Sequence, residues 1–132
     1  MQTAIACAGA LGLLLFGLSF AVSMVRLNTR IGIGTDGSST SLVTRSVRAQ
    51  GNAAEYVAAF MVLFLFLGTQ EPAPWVEWTM ITATAARYLH GIGMYVSSDL
   101  NKEQPLRFAG SALTYLTGLV LSGAAFMQAF NG

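Results

Sequence analysis

Residues 48–68 read RAQGNAAEYVAAFMVLFLFLG, a polar beginning that runs without a turn signal into a wholly apolar segment. On a helix, Arg48, Asn52 and Glu55 lie at i, i+4 and i+7, so a guanidinium, an amide and a carboxylate share one face. A charged side chain at the centre of a bilayer costs roughly 2.5–3.5 kcal/mol on insertion scales. The stretch therefore predicts a membrane helix whose first half carries a polar network or a binding site.

The composition is that of an integral membrane protein. Of the 132 residues, 54% are hydrophobic and 10% are charged, against about 25% charged in a soluble domain. The net charge of +1 argues against a nucleic-acid partner, because the chain has no basic surface that would neutralise phosphates. Cys7 is the lone cysteine, which excludes an internal disulfide or a cysteine metal cluster. The length predicts a single integral-membrane domain over residues 1–132.

Hydropathy divides this domain into four segments, each long enough to cross about 30 Å of hydrocarbon. The expected spans are residues 4–25, 45–69, 75–97 and 105–130. Because backbone groups in lipid must be satisfied internally, all four are expected to be helices. The first is too long for the apolar part of a signal peptide. The sequence therefore predicts an all-α membrane protein built as a four-transmembrane-helix bundle.

The basic residues predict the orientation of the bundle. All seven lie in or towards the first and third loops, namely Arg26, Arg30, Arg45, Arg48, Arg87, Lys102 and Arg107. The second loop carries Glu71 and Glu77 and no basic residue. By the positive-inside rule the first and third loops are cytoplasmic, and both termini lie outside.

The polar face of the second span has two interpretations. As structure, it is a network that locks the bundle, with Glu55 paired to an arginine of another helix. As a ligand site, Glu55 binds an amino group, and Arg48 binds a carboxylate through its forked guanidinium. Glu55 is the only acid inside a span away from its ends. We therefore expect it to pair with Arg87, which lies well inside the third span.

His90 and Arg107 also have a structural and a functional interpretation. His90 shares a helix face with Arg87 at i, i+3, and a lone histidine more often packs between helices than binds a metal or acts as a base. Arg107 opens the fourth span, where it would either extend to the lipid headgroups or face the bundle and stabilise an anion. Ser111 follows it at i+4. Arg26 and Arg30 end the first span as anchors or as anion contacts.

These motifs resemble a known family. The second-span pattern Arg-Ala-Gln-x-Asn-x-x-Glu-Tyr, residues 48–56, is similar to the signature of the MAPEG family, the membrane-associated proteins in eicosanoid and glutathione metabolism. Similar elements are Val-Arg-Leu at 25–27, Arg87-x-x-His90, and Pro-Leu-Arg at 105–107. The resemblance covers nearly the whole chain and is greatest to the short bacterial members. It implies a homotrimer of four-helix bundles in a bacterial inner membrane, with glutathione bound between subunits near the cytoplasmic side.

The resemblance also implies roles for individual residues. Arg107 matches the catalytic arginine that stabilises the glutathione thiolate. The matching glutathione-binding positions are Arg26, Arg48, Asn52, Glu55, Tyr56 and, in the prostaglandin-E synthase branch, His90. The chain departs from the pattern in four places: Met94 and Ser111 replace tyrosines, Ala58 replaces a proline, and the loop before Arg107 is longer than in the eicosanoid enzymes. No metal is implied.

The expected function is that of a membrane-bound glutathione transferase or peroxidase. Glutathione would be its co-substrate, and apolar electrophiles would arrive from the lipid. The alternative is a non-catalytic lipid- or ligand-binding protein of the same fold. A transporter or channel is disfavoured, since four short spans without a broken helix or acidic relay offer no conduction path. The sequence leaves open the electrophile, and whether the thiol is glutathione or another small thiol.

Overall fold

The computed structural model describes residues 1–130, which form four α-helices joined by three loops. The helices are α1 (Gln2–Thr29), α2 (Leu42–Gly68), α3 (Pro74–Val96) and α4 (Pro105–Gln128). Each overlaps one predicted span, so the all-α four-helix class is confirmed. The predicted domain extends to residue 132, and residues 131–132 lie outside the described part of the chain.

Local chemistry fixes where the helices begin and end. The side chain of Ser41 accepts a hydrogen bond from the backbone N–H of Thr44 and caps α2. Pro74 and Pro105 occupy the first turns of α3 and α4, where a missing N–H costs nothing. Helix α1 ends at Arg30, which adopts the left-handed conformation with φ 58°. These signals place each end within a few residues of the limits that hydropathy predicts.

Helices α1, α2 and α3 share an apolar core. Leu11, Val57, Phe64 and Met80 are fully buried in it. The hydroxyl of Tyr88 donates a hydrogen bond of 2.8 Å to the carbonyl of Ala10 and ties α3 to α1. The core thus holds α2 and α3 side by side, which brings together the polar residues at the beginning of α2 and the end of α3.

Helices α3 and α4 pack backbone against backbone at two glycines. A Cβ on Gly110 would lie 2.6 Å from the backbone nitrogen of His90, and one on Gly93 would lie 2.5 Å from the backbone nitrogen of Arg107. Only hydrogen fits at such separations, so both positions require glycine. The two contacts fix the distance between the helices at the residues that the sequence singles out as functional, His90 and Arg107.

Three of the four helices, α1, α2 and α4, are long and apolar enough to cross a membrane. Helix α3 is not among them, because Glu77, Arg87 and His90 lower its hydropathy. At 23 residues it has the length of a span, which takes about 20 residues. That α3 crosses the bilayer with the others stays a prediction.

The first loop is folded around Asp36. Its carboxylate accepts hydrogen bonds from the Ser41 hydroxyl at 2.8 Å, from the Ser38 N–H and from the Thr44 hydroxyl. These bonds, that of Ser41 foremost, hold the pKa of Asp36 below its ordinary value of 3.8. The loop also contacts the third loop, where the N–H of Leu100 donates to the carbonyl of Ser39 at 3.0 Å.

The lowered pKa of Asp36 predicts how the stability of the first loop depends on pH. A depressed folded-state pKa stabilises the fold above the unfolded value of 3.8 and loses that effect as the pH falls through the lower folded value. We expect Asp36→Ala to lower the thermal unfolding midpoint in detergent at about pH 6, and the difference from wild type to vanish near about pH 2. An equal difference at both pH values would contradict this.

Candidate functional site

A polar cavity of about 230 Å³ opens where α2, α3 and α4 meet the third loop. Its lining residues are Arg48, Asn52, His90, Met94, Leu100, Arg107 and Ser111. Four of the residues that the sequence singled out as candidates, on three different helices, thus come together. They are Arg48, Asn52, His90 and Arg107.

Arg107 is held in place by the loop in front of it. Its guanidinium donates to the carbonyls of Leu100 at 3.0 Å and Lys102 at 2.8 Å. Its backbone N–H donates to the side chain of Gln104, the N-cap of α4, at 2.7 Å. The guanidinium is therefore folded against the third loop at the edge of the cavity. A second cavity of about 600 Å³, which Glu103 and Phe108 help to line, also has Arg107 among its lining residues.

Asn52 is fixed by Arg87. The Arg87 guanidinium, 1% exposed, donates to the Asn52 Oδ1 at 2.6 Å and to the Thr114 Oγ1 at 3.3 Å. It also lies 5.1 Å from the ring centroid of Tyr56, close enough for a cation–π contact. The α2 side of the site is thus tied to α3 and α4 through one buried arginine.

The predicted Glu55–Arg87 ion pair is wrong for the described residues, in which the α2 partner of Arg87 is Asn52. Glu55 follows Asn52 by three residues, which turns it about 60° around the helix and leaves it exposed on the outside of the bundle. The charge of Glu55 and the depth of both residues favour the pair. They do not determine which face of α2 meets α3.

His90 lies at the floor of the cavity. It is 4% exposed, and its Nδ1 has no hydrogen-bond partner among residues 1–130. Met94 follows one turn later and is also buried. In the same described part of the chain, no three His, Cys, Asp or Glu side chains are grouped to hold a metal ion. The donors of the cavity are therefore guanidinium, imidazole, amide and hydroxyl groups.

Three candidate residues lie outside this cavity. Arg26 donates to the carbonyl of Ile31 at 3.0 Å and closes the end of α1. Glu55 is exposed on the outer face of α2. Tyr56 lines a separate apolar cavity of about 350 Å³ between α2 and α4 and packs against Tyr115, with ring centroids 6.0 Å apart. Within the single chain, the residues implied by the resemblance thus fall into a group that lines the polar cavity and a group outside it.

The polar cavity suits an anion. Arg48 and Arg107 line it, and Arg87 adds a third positive charge behind Asn52. No acidic side chain of residues 1–130 is among its lining residues. Guanidinium groups bind carboxylates and phosphates with paired N–H donors, so the arrangement favours a ligand with more than one negative group.

Sequence reasoning did not identify Leu100, Lys102 and Gln104 as parts of the site. Leu100 and Lys102 act through backbone carbonyls, which no residue pattern reveals. The role of Gln104 could have been predicted, because a proline in the first turn of a helix places the N-cap residue directly before it.

Comparison with known proteins shows the family of the chain. The model of the MAPEG family matches residues 4–127. A search of curated proteins found no match. Because the family match spans all four helices and every residue of the polar cavity, the chain belongs to the MAPEG family, whose members are membrane proteins of glutathione and eicosanoid metabolism.

Proposed function

We propose that this protein is a membrane-bound glutathione transferase or peroxidase that acts on apolar electrophiles from the bilayer. The observation that carries the proposal is the polar cavity, in which Arg48, Asn52, His90 and Arg107 converge. Glutathione has two carboxylates, an ammonium and a thiol. The two guanidiniums of the cavity match the carboxylates or the thiolate in charge and in hydrogen-bonding geometry.

Arg107 is the proposed catalytic residue. A guanidinium beside the glutathione thiol favours the thiolate, the reactive form of a group whose intrinsic pKa is about 8.5. In conjugation the thiolate forms a C–S bond as the leaving group departs with its electron pair. In peroxide reduction two glutathione molecules become a disulfide, and a hydroperoxide becomes an alcohol and water. The loop carbonyls of Leu100 and Lys102 hold the guanidinium ready for either reaction.

The apolar substrate would enter from the lipid. The cavity between α2 and α4 is lined mainly by apolar and aromatic groups, including Phe60, Leu63 and Leu119. Tyr56 belongs to this cavity and also contacts Arg87, which in turn holds Asn52. The apolar and polar cavities are thus neighbours on α2, which gives an apolar electrophile a route towards the thiol.

Assembly as a homotrimer accounts for the charges on the outside of α2. Glu55 lies thirteen residues from Leu42 and thirteen from Gly68, or about 20 Å from either end of the helix. An exposed carboxylate at that depth is costly in lipid. A neighbouring copy would cover Glu55 and complete the glutathione site with Arg26, Tyr56 and Arg48. The first and third loops would face the cytoplasm of a bacterial inner membrane.

The proposal is tested by titrating glutathione into the purified protein in detergent. We expect saturable binding and a rise in thermal stability, since a ligand at 100 times its Kd stabilises by about 2.7 kcal/mol. Arg48→Ala should weaken binding about tenfold, the loss of one charged hydrogen-bond partner. The control is Glu71→Asn, because Glu71 is exposed in the second loop and has a positive φ that asparagine tolerates. Absence of binding to wild type would overturn the proposal.

A second candidate is a non-catalytic lipid-binding protein of the same fold. The apolar cavity favours it, as do Met94 and Ser111, which line the polar cavity where the resemblance implies tyrosines. This candidate predicts binding of a fatty acid or another apolar ligand with no glutathione-dependent turnover. Assaying turnover of a halogenated nitrobenzene and of a lipid hydroperoxide separates the two.

A further inference from the structure

We propose that Arg87 is a positioning residue that sets the orientation of the Asn52 amide, so that its NH2 group is presented to the cavity as a donor for a ligand carboxylate. The identity of the ligand rests on the proposed function. The contact between Arg87 and Asn52 does not. Arg87 is not among the lining residues of the cavity and would act on the ligand through Asn52.

The orientation follows from the donor inventory of the two side chains. A guanidinium has five N–H donors and no acceptor, whereas an amide has one acceptor oxygen and two N–H donors. The amide atom that faces Arg87 at 2.6 Å must therefore be the oxygen. A flipped amide would set N–H against N–H. The hydrogen bond found for the Asn52 side chain within residues 1–130 is the one to its oxygen, and Asn52 lines the cavity, so its NH2 group is free to donate to a ligand there.

Arg87 is itself held from two further sides. The Thr114 hydroxyl donates to the carbonyl of Gly110 at 2.7 Å, so its lone pairs are turned to accept from Arg87 at 3.3 Å. The Tyr56 ring lies over the guanidinium at 5.1 Å. With 1% exposure and three neighbours in place, Arg87 has no freedom to follow a flipping amide. Asn52 is thus preorganised before a ligand arrives.

The same contact leaves a buried charge without a counter-ion. Among the described residues, the hydrogen-bond partners of Arg87 are an amide and a hydroxyl, and its Nε has no partner. A buried cation without a carboxylate is costly. A bound anion on the far side of Asn52 would offset part of that cost, so Arg87 favours anionic ligands through both orientation and charge.

Asn52→Asp is the decisive variant, because it is expected to move stability and binding in opposite directions. The new carboxylate gives Arg87 its missing counter-ion, which should raise the thermal unfolding midpoint of the ligand-free protein by several degrees. It also replaces a donor by a negative acceptor in the cavity, which should weaken glutathione binding at least about tenfold. A residue with a merely structural role would not separate the two effects.

The matched control is Gln50→Glu. It makes the same amide-to-carboxylate change on α2, but Gln50 contacts Ser19 of α1 at 3.4 Å and lies outside the cavity. We expect no gain in stability and unchanged glutathione affinity. Arg87→Met supplies a second line of evidence. Without the guanidinium the Asn52 amide can turn over. The preference for glutathione over its diester, in which both carboxylates are esterified, should therefore fall about tenfold.

The outcomes distinguish this inference from the proposed function. An Asn52→Asp protein that is no more stable than wild type, or that binds glutathione as tightly, overturns the inference. Wild-type protein that binds no glutathione while Asn52→Asp is stabilised overturns the proposed function and supports the Arg87–Asn52 contact. If the Arg87→Met protein is folded and still prefers glutathione over its diester as strongly as wild type does, the orienting role of Arg87 is overturned.

Discussion

Replacing Arg107 with alanine is expected to lower glutathione-dependent turnover by about 10²–10³-fold, the usual effect of removing one donor that stabilises a reacting anion. Glutathione affinity should fall at most about tenfold, because Arg48 and Asn52 still line the cavity. The separation of the two effects follows from the position of the guanidinium. It is held by two loop carbonyls at the edge of the site and is not buried among the other ligand contacts.

The comparison needs two further proteins. Arg107→Lys keeps the charge but cannot make paired N–H contacts, and we expect intermediate turnover. Glu71→Asn removes an exposed charge from the second loop and should retain wild-type turnover. Turnover would be followed with an apolar electrophile in reconstituted vesicles, with binding measured in parallel. Full turnover by an Arg107→Ala protein that still binds glutathione would show that the thiol is activated by another group.

The second large effect is expected from Gly110→Ala. The added Cβ would lie 2.6 Å from the backbone nitrogen and 2.8 Å from the Cα of His90. Because those atoms belong to the backbone of α3, the conflict is relieved only by moving one helix. Overpacking of this kind costs about 1–3 kcal/mol and occasionally more. We expect a lower thermal unfolding midpoint and loss of glutathione binding, since the shift separates His90 from Arg107.

Gly123→Ala is the matched control on the same helix. A Cβ there has no atom within 4 Å, and alanine favours the helix over glycine by about 0.8–1.0 kcal/mol. This variant should be as stable as wild type or more so. If Gly110→Ala were equally stable and bound glutathione normally, the close packing of α3 on α4 would not be what places His90 and Arg107.

The helices follow from the sequence because their causes are local. Hydropathy sets the length of each span, and Ser41, Pro74 and Pro105 mark the beginnings of three helices. Each predicted span overlaps an observed helix. Helix α1 extends four residues beyond its predicted end at residue 25, because residues 26–29 continue the helix although Arg26, Asn28 and Thr29 are polar.

The site follows from the sequence only in part. Helical spacing predicts that Arg48, Asn52 and Glu55 share one face of α2, but of these three only Arg48 and Asn52 line the cavity, and Glu55 is exposed. The partner of Arg87 could not be predicted, because a charge count favours Glu55 and only the rotation of α2 against α3 selects Asn52. The contacts of Arg107 with Leu100 and Lys102 depend on the path of the third loop, which no helical pattern encodes.

The glycines at which α3 and α4 pack closely could not be predicted from the sequence either. Helix α4 is rich in small residues, and Gly118 and Ser122 have the small-xxx-small spacing that favours close helix packing. The structure places the closest backbone approaches at Gly93 and Gly110 instead, while a Cβ on Gly118 would make an ordinary contact of 3.7 Å with Phe60. Which glycine faces a neighbouring backbone depends on the crossing of two helices, so it becomes visible only in the assembled bundle.

Activation of the glutathione thiol by this site is tested by a pH titration of the thiolate absorbance of glutathione bound to the wild-type protein. We expect a midpoint at least about one pH unit below the value of about 8.5 for a free thiol, and a return towards that value in Arg107→Ala. Saturated binding with the free-thiol midpoint would mean that the cavity holds glutathione without activating it, and would contradict the proposed chemistry.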